Sequence, residues 1–182
     1  MNFNIKFRAF RIGDEFFINK LREDAERESK VGGMNRKVSI DREAKWVKDI
    51  IFGDNQKEFY FAVTLIESDE IIGYTSVSDV DYRSGTCFWS GIKLGRSCAG
   101  KGYGKQVSLL MSKFVFEELR MVRCIGVCQE EHIAAIRLME STGYKREGLM
   151  RKALFKNGMH INQFLYSITD DDYKQLKQEY QL

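Results

Sequence analysis

The sequence predicts one α/β domain built around a mixed sheet. Strand-like and helix-like segments alternate along all 182 residues, and the spacing of their apolar residues distinguishes them. Some neighbouring strand-like runs are joined by short turns, as antiparallel strands are, whereas residues 122–128 form a short apolar run between two helices and suit a buried strand. No linker, repeat or low-complexity segment divides the chain, so we expect a single domain over residues 1–182.

The first part of the chain predicts one strand and two helices. Apolar residues alternate with polar ones over residues 3–7, as in a half-buried strand. Apolar residues at helical spacing then predict a continuous helix over residues 14–28. Ser39 is a favourable capping residue and begins a second helix that we expect to end near residue 52.

The middle of the chain predicts hairpins. Residues 59–65 alternate as a strand, and a turn at residues 68–69 leads into a second strand that begins with residues 71–74. A further turn at residues 82–85 precedes a strand over residues 87–94, which is rich in aromatic and branched side chains.

A glycine-rich turn follows that strand and runs into a helix. Its sequence is Ala99-Gly100-Lys101-Gly102-Tyr103-Gly104-Lys105. A strand, a glycine-rich turn and a helix together present unpaired backbone N–H groups and the positive end of a helix dipole to an anion. Alternate glycines allow the backbone to approach a phosphate closely, and Lys101 and Lys105 add positive charge. The spacing is not that of a Walker A loop, because Gln106 follows Lys105, nor that of a dinucleotide fingerprint.

Composition excludes several classes of function. Lys and Arg number 29 against 26 Asp and Glu, and a net charge of +3 is too small to argue for nucleic acid as a partner. No apolar run approaches the length of a membrane span or resembles a signal peptide, so we expect no membrane association. The four cysteines form no Cys-x-x-Cys pair and only two histidines are present, so we expect no metal site, and free thiols in a reducing cytoplasm.

Several motifs resemble those of the GNAT acetyltransferase superfamily. The glycine-rich turn resembles the family's pyrophosphate loop, with Ala99 in place of the usual Gln or Arg. Residues 132–144 resemble the family's last helix and its closing Gly-Tyr, with His132 where the family has Asn. Residues 145–151 resemble the Glu-Gly-x-x-Arg segment of the RimJ/RimL-type branch. The resemblance covers about residues 5–169 and leaves a C-terminal helix at 170–182.

The resemblance implies a GNAT fold of about seven strands, flanked by helices, in which the strand at residues 92–94 splays from the strand at 122–128. It implies an N-acetyltransferase that moves an acetyl group from acetyl-CoA to a primary amine, with an N–H near Ile92 to Leu94 polarising the thioester carbonyl. The cofactor-binding residues it implies are Ile92, Lys93, Leu94, Ala99, Gly100, Lys101, Gly102, Tyr103, Gly104, Lys105, His132 and Ala135.

The acid and base of the reaction are not identified by the motifs. Met139 stands where many members carry a tyrosine that protonates the leaving thiolate, and a thioether has no proton to donate. Phe88 and Trp89 occupy the neighbourhood in which many members carry a glutamate base. We therefore expect water to carry the amine's proton and solvent to protonate the thiolate. The carboxylates that stay as candidates are Asp79, Asp81 and Glu147.

The acceptor amine is left open among a protein N-terminus, an amino sugar and a polyamine. The expected acceptor groove is framed by residues 29–39, the turn near 79–84 and the last two strands. Residues 29–39 carry three cations and no acidic residue, which disfavours spermidine, although residues 155–158 resemble polyamine acetyltransferases. Two alternatives are a non-catalytic acyl-CoA-binding module and a structural domain that has lost its cofactor. A homodimer is also left open.

Overall fold

The computed structural model describes residues 2–33 and 36–182. Over these ranges seven strands form one mixed sheet in the order β1-β2-β3-β4-β5-β7-β6. The strands are β1 (Ile5–Arg8), β2 (Phe59–Leu65), β3 (Ile71–Asp81), β4 (Thr86–Leu94), β5 (Arg123–Gln129), β6 (Lys145–Lys156) and β7 (Met159–Thr169). The α-helices are α1 (Asp14–Leu21), α2 (Ala25–Lys30), α3 (Ile40–Phe52), α4 (Tyr103–Lys113), α5 (Ile133–Ser141) and α6 (Asp170–Tyr180). Residue 1 of the expected domain and residues 34 and 35 of the expected acceptor segment lie outside the described residues.

The predicted α/β class and mixed sheet are confirmed, and helices cover both faces of the sheet. Ala62 of β2 packs in one apolar cluster with Ile18 of α1 and Val47 of α3. Its neighbour Val63 packs in another cluster with Val107 of α4. Because successive strand residues point to opposite faces, these two clusters lie on opposite sides of the sheet.

The predicted continuous helix over residues 14–28 is wrong. The first helix ends at Leu21, and Asp24 begins a separate helix, α2, by accepting a hydrogen bond from the backbone N–H of Arg27. An N-capping aspartate satisfies a donor that a continuous helix would bond internally, so it favours a new helix start at this point. Because of this break, the direction of α2 is not fixed by that of α1.

The parallel strands β4 and β5 part soon after they begin, as the family resemblance implies. Their register runs from the Thr86–Arg123 pair to the Phe88–Ile125 pair. Beyond it, β4 stays paired with β3 and β5 with β7. We call the point where the two strands part, just beyond Phe88 and Ile125, the fork.

Candidate active site

A cleft of about 900 Å³ opens at the fork. Its walls come from β4, β5, the glycine-rich turn, the start of α5 and the segment around α2. All of the predicted cofactor-binding residues except Lys101 line it, so the fold brings together segments that are far apart in sequence. Lys101 is exposed and is not part of the wall.

The glycine-rich turn has the backbone form that an anion-binding loop requires. Gly100 and Gly102 both have a φ of +74°, a left-handed conformation that favours glycine. Helix α4 begins at Tyr103 with Gly102 as its N-cap, and no side chain caps it. Its first N–H groups therefore point out of the helix end toward the cleft, as they do where helix starts bind phosphate. The Lys105 ammonium lies 4.6 Å from the centre of the Tyr180 ring, which holds its charge beside the helix start.

The free edge of β4 presents backbone groups to the gap. The Gly95 N–H donates to the Ile72 carbonyl of β3 at 2.8 Å. Because hydrogen-bonded and non-hydrogen-bonded pairs alternate in an antiparallel ladder, Lys93 also bonds toward β3, whereas the N–H and C=O groups of Ile92 and Leu94 face away from it. With β5 splayed aside, those groups point into the cleft.

Helix α2 bridges the two strands where they part. The Arg27 guanidinium donates to the Leu94 carbonyl oxygen on β4. On the other side, Nε2 of Gln129 on β5 donates to the Ser29 carbonyl at 2.9 Å. Helix α2 and the following residues 31–33 thus lie across the gap, and we call them the cover.

Lys156, at the end of β6, fixes the far end of the cover. Its Nζ donates to the carbonyls of Val31 at 3.0 Å and Gly33 at 2.9 Å. Burial lowers the pKa of this ammonium, which is 4% exposed. Beneath the same helix, the Glu28 carboxylate pairs with Lys93 of β4, and both side chains are largely buried. The sequence analysis did not predict the contacts that hold the cover. Asp24, a capping residue inside the expected helix, was a signal that α2 is a separate helix.

The cleft carries an excess of positive charge. Among the described residues that line it, the only carboxylate is that of Glu26, which pairs with Lys30 at 2.9 Å. The cations in the wall are Arg27, Lys30, Lys93, Arg96 and Lys105. Lys93 pairs with Glu28 and Arg96 with Asp24, two carboxylates beside the wall, and the cations still outnumber the carboxylates. A site of this sign attracts phosphate groups and repels a polycation.

His132 begins α5 and lines the cleft. Its Nδ1 accepts a hydrogen bond from the Ala135 N–H at 3.4 Å, so the imidazole acts as the helix cap. Burial lowers the pKa of His132, which favours the neutral ring at physiological pH. A neutral imidazole whose Nδ1 accepts carries its proton on Nε2 and can donate to an oxygen in the cleft.

Asp79 and Asp81 do not line the cleft. Both are exposed at the end of β3. The Asp81 carboxylate accepts hydrogen bonds from the backbone N–H groups of Arg83 at 2.9 Å and Ser84 at 3.2 Å, so it organises the turn into β4. The Asp79 carboxylate accepts from the hydroxyl of Ser78 at 3.2 Å.

Glu147 does not line the cleft either. Its carboxylate pairs with the guanidinium of Arg123, with one N–O distance of 2.8 Å, and accepts from the Ser167 hydroxyl at 2.7 Å. The hydrogen bond from Arg123 lowers the pKa of Glu147 to about 2, which makes the carboxylate a weak base. The geometry gives Glu147 the task of tying β5, β6 and β7 together.

At the fork itself the wall is apolar and aromatic. Phe88, Trp89 and Met139 all line the cleft there. Met139 is 5% exposed, and its Cε lies so close to Gly126 that a Cβ there would come within 2.3 Å of it. The Cys128 thiol lies in the same wall, and burial raises its pKa, so it stays protonated.

No group of three or more His, Cys, Asp or Glu side chains within residues 2–33 and 36–182 is arranged to hold a metal ion. None of the helices in the described part of the chain has the length and apolar character needed to span a membrane.

Comparisons with known proteins agree with the fold. The family described as acetyltransferase (GNAT) domain matches residues 4–145. An uncharacterized N-acetyltransferase, YokL, derived from the SPbeta prophage of Bacillus subtilis (strain 168), is 27% identical over 172 residues, 94% of this chain and 93% of that protein. Another uncharacterized N-acetyltransferase of that strain, YnaD, is 27% identical over 66% of this chain and 69% of that protein.

A solved structure shares the whole fold. It is that of spermidine N-acetyltransferase from Vibrio cholerae in complex with CoA and spermine, with a TM-score of 0.85 and 21% identity over 95% of this chain and 99% of that one. The sheet, the cleft and the family match together define the class of this protein, which is that of the acyl-group transferases. The chain belongs to the GNAT acetyltransferase family, and it is an N-acetyltransferase.

Proposed function

We propose that this N-acetyltransferase takes its acetyl group from acetyl-CoA bound in the cleft. The observation that carries the proposal is the continuity of the site: backbone groups that β3 leaves unpaired, the N–H and C=O of Ile92 and the N–H of Leu94, run from the fork toward the glycine-rich turn at residues 99–105. The pyrophosphate fits at the helix start, where N–H groups and positive charge converge. The amide-containing pantetheine arm fits beside β4. There its amides can form the hydrogen bonds that β5 no longer makes to β4 beyond Phe88 and Ile125.

The chain's own groups supply two parts of the chemistry. The Ile92 N–H faces the gap beside the fork and can donate to the thioester oxygen as negative charge develops on it. The aromatic and apolar wall at Phe88, Trp89 and Met139 holds the acceptor against the thioester and limits the access of bulk water. Since no carboxylate lies in the wall at the fork among the described residues, a water molecule carries the proton from the amine.

We propose an acceptor with a single amine and no additional positive charge, such as a protein N-terminus or an amino sugar. The cations in the wall and the pairing of Glu28 with Lys93 support this choice, because a polyamine needs unpaired carboxylates. The Vibrio cholerae enzyme is named for spermidine, but at 21% identity the likeness concerns the fold.

Three finer assignments belong to the same proposal. We place the chain in the RimJ/RimL-type branch, which the Glu147-Gly148 segment on β6 supports. A cytoplasmic location is supported by the four cysteines, which are all buried and free. A homodimer is supported by the apolar residues that β6 and the hairpin after it expose, among them Leu149, Phe155 and Met159.

The test is a melting experiment followed by an activity screen. Acetyl-CoA at 100 times its Kd stabilises the folded state by about 2.7 kcal/mol, which raises the melting temperature by several degrees. Release of free CoA thiol is then measured with free-N-terminal peptides, glucosamine and spermidine. Absence of a melting shift at millimolar acetyl-CoA would overturn the proposal, and turnover of spermidine in preference to the other amines would overturn the acceptor class.

A further inference from the structure

The strand β4 contains a bulge just beyond the fork. Val77 pairs with Trp89 and Thr75 pairs with Ile92, so β4 has one residue more than β3 between these two pairs. Gly91 takes up the extra residue with a φ of +88°. A bulge of this kind changes the direction of the following peptide group, which is that of Ile92.

One buried hydroxyl ties both flanks of the bulge. Thr75 is fully buried on β3. Its Oγ1 donates to the Gly91 carbonyl at 2.8 Å and accepts from Nε1 of the Trp89 indole at 3.0 Å. The hydroxyl therefore uses its donor on Gly91 and one acceptor site on Trp89, the contact to Gly91 being part-buried and that to Trp89 buried.

Fixing the Gly91 carbonyl also fixes the Ile92 N–H. The two groups belong to one planar trans peptide unit, in which C=O and N–H point in opposite directions. With the Gly91 oxygen held by Thr75, the Ile92 N–H points away from Thr75 and away from β3, into the cleft. A donor held in place before the reaction stabilises developing charge without having to reorganise.

We propose that Thr75 is a positioning residue that aims the Ile92 N–H at the thioester carbonyl. The inference rests on the proposed function, because it assigns Ile92 as the donor to the bound thioester. Thr75 contacts no substrate. It acts through the Gly91–Ile92 peptide group, and Trp89 orients the hydroxyl by donating to it.

The test compares Thr75→Val with a matched control, Thr64→Val. Thr64 is also fully buried, on β2, but its Oγ1 has no hydrogen-bond partner among the described residues. Both variants exchange a buried hydroxyl for a methyl group of similar size. Only Thr75→Val removes the hydrogen bonds to Gly91 and Trp89.

The expected result is a loss in kcat with little change in acetyl-CoA binding. Complete loss of an oxyanion donor costs about 100- to 1000-fold in kcat. A donor that is misaimed but present should cost about 10- to 100-fold in Thr75→Val, with acetyl-CoA affinity within about three-fold. Thr75→Ser keeps the hydroxyl and should restore most of kcat. Hydrogen exchange at residues 89–94 should rise in Thr75→Val and not in Thr64→Val.

Failure of the inference and failure of the proposed function give different results. If the wild-type enzyme is active and the two valine variants have the same kcat, the positioning role of Thr75 is overturned. A similar loss in Thr75→Val and Thr75→Ser, in step with their melting temperatures, would also overturn it. A wild-type protein that binds no acetyl-CoA would overturn the proposed function and this inference with it.

Discussion

The two ends of the cleft are built in different ways. The proposed anion-binding end uses the backbone of one contiguous segment, residues 99–105, in which two left-handed glycines precede an uncapped helix start. The cover end uses side chains from separate elements, with Arg27 reaching β4, Gln129 reaching Ser29 and Lys156 reaching residues 31–33. A site made of backbone tolerates changes of side chain, such as Ala99 in place of the family's Gln or Arg, whereas a site made of side chains depends on each of them.

The largest expected effect is at the anion-binding end, with Gly104→Val. A Cβ at Gly104 would lie 3.3 Å from Ile92 Cδ1, and a valine would branch between α4 and the β4 wall of the cleft. We expect acetyl-CoA affinity to fall by about 100-fold, which is about 2.7 kcal/mol of binding free energy. Isothermal titration measures the affinity.

Gly148→Val is the matched control for that experiment, because a Cβ at Gly148 meets no other atom within 4 Å and the residue lies in β6, outside the cleft wall. Unchanged affinity in Gly104→Val, with folding retained, would remove the phosphate-binding interpretation of the turn.

At the cover end, Lys156→Met should affect the acceptor more than the cofactor. The variant loses the two hydrogen bonds that hold Val31 and Gly33 over the gap. We expect kcat/KM for the acceptor to fall by about ten-fold, in line with about 1.4 kcal/mol for the lost contacts. Acetyl-CoA affinity should stay within about three-fold. Arg151→Met, an exposed cation of the same strand, is the control, and equal losses for both substrates would contradict the distinction between the two ends.

Glu147→Gln tests whether a carboxylate outside the cleft contributes to the chemistry. We expect kcat/KM to stay within about ten-fold at every pH and to rise with pH as the acceptor amine loses its proton, since a water relay needs no single carboxylate. A collapse of activity at all pH values, with acetyl-CoA affinity kept, would identify Glu147 as the base. Asp79→Asn and Asp81→Asn are measured in the same way, and we expect kcat/KM of each to stay within about ten-fold of the wild type.

The same variant has a stability effect whose sign follows from the pKa. Folding lowers the pKa of Glu147 from 4.5 to about 2, so the contribution of its ion pair is complete above pH 4.5 and is lost as the pH falls toward 2. The melting temperature of Glu147→Gln should therefore lie below that of the wild type at pH 7, and the difference should shrink in acid. About a third of each side chain is exposed, so we expect no more than about 1 kcal/mol.

The smallest expected effect is that of Met139→Leu, between the two ends. Met139 is buried at the fork and has no proton to donate, so a volume-conserving apolar replacement removes no chemistry. Turnover should stay within about three-fold, and the free energy of unfolding should fall by less than about 1.5 kcal/mol. A hundred-fold loss of kcat, with acetyl-CoA affinity intact, would show that the thioether has a role in the reaction.

Features that depend on neighbouring residues were predicted well. Ser39 caps α3 through the backbone N–H of Arg42, and α4 starts within the glycine-rich turn. The helix over residues 14–28 was predicted wrongly because its apolar spacing continues past Leu21, whereas a single local hydrogen bond to Asp24 decides the break.

The sequence by itself determined the α/β class, the order of most elements and the glycine-rich turn that starts α4, because each depends on contacts within a few residues. Only the tertiary structure decided the cover and the positioning of the Ile92 N–H. Lys156 and Val31 are 125 residues apart, and the Thr75 hydroxyl on β3 bonds Gly91 on the neighbouring strand β4. The splay of β4 and β5 and the crossing of α2 bring these groups together, and such pairings leave no periodic signal in the chain.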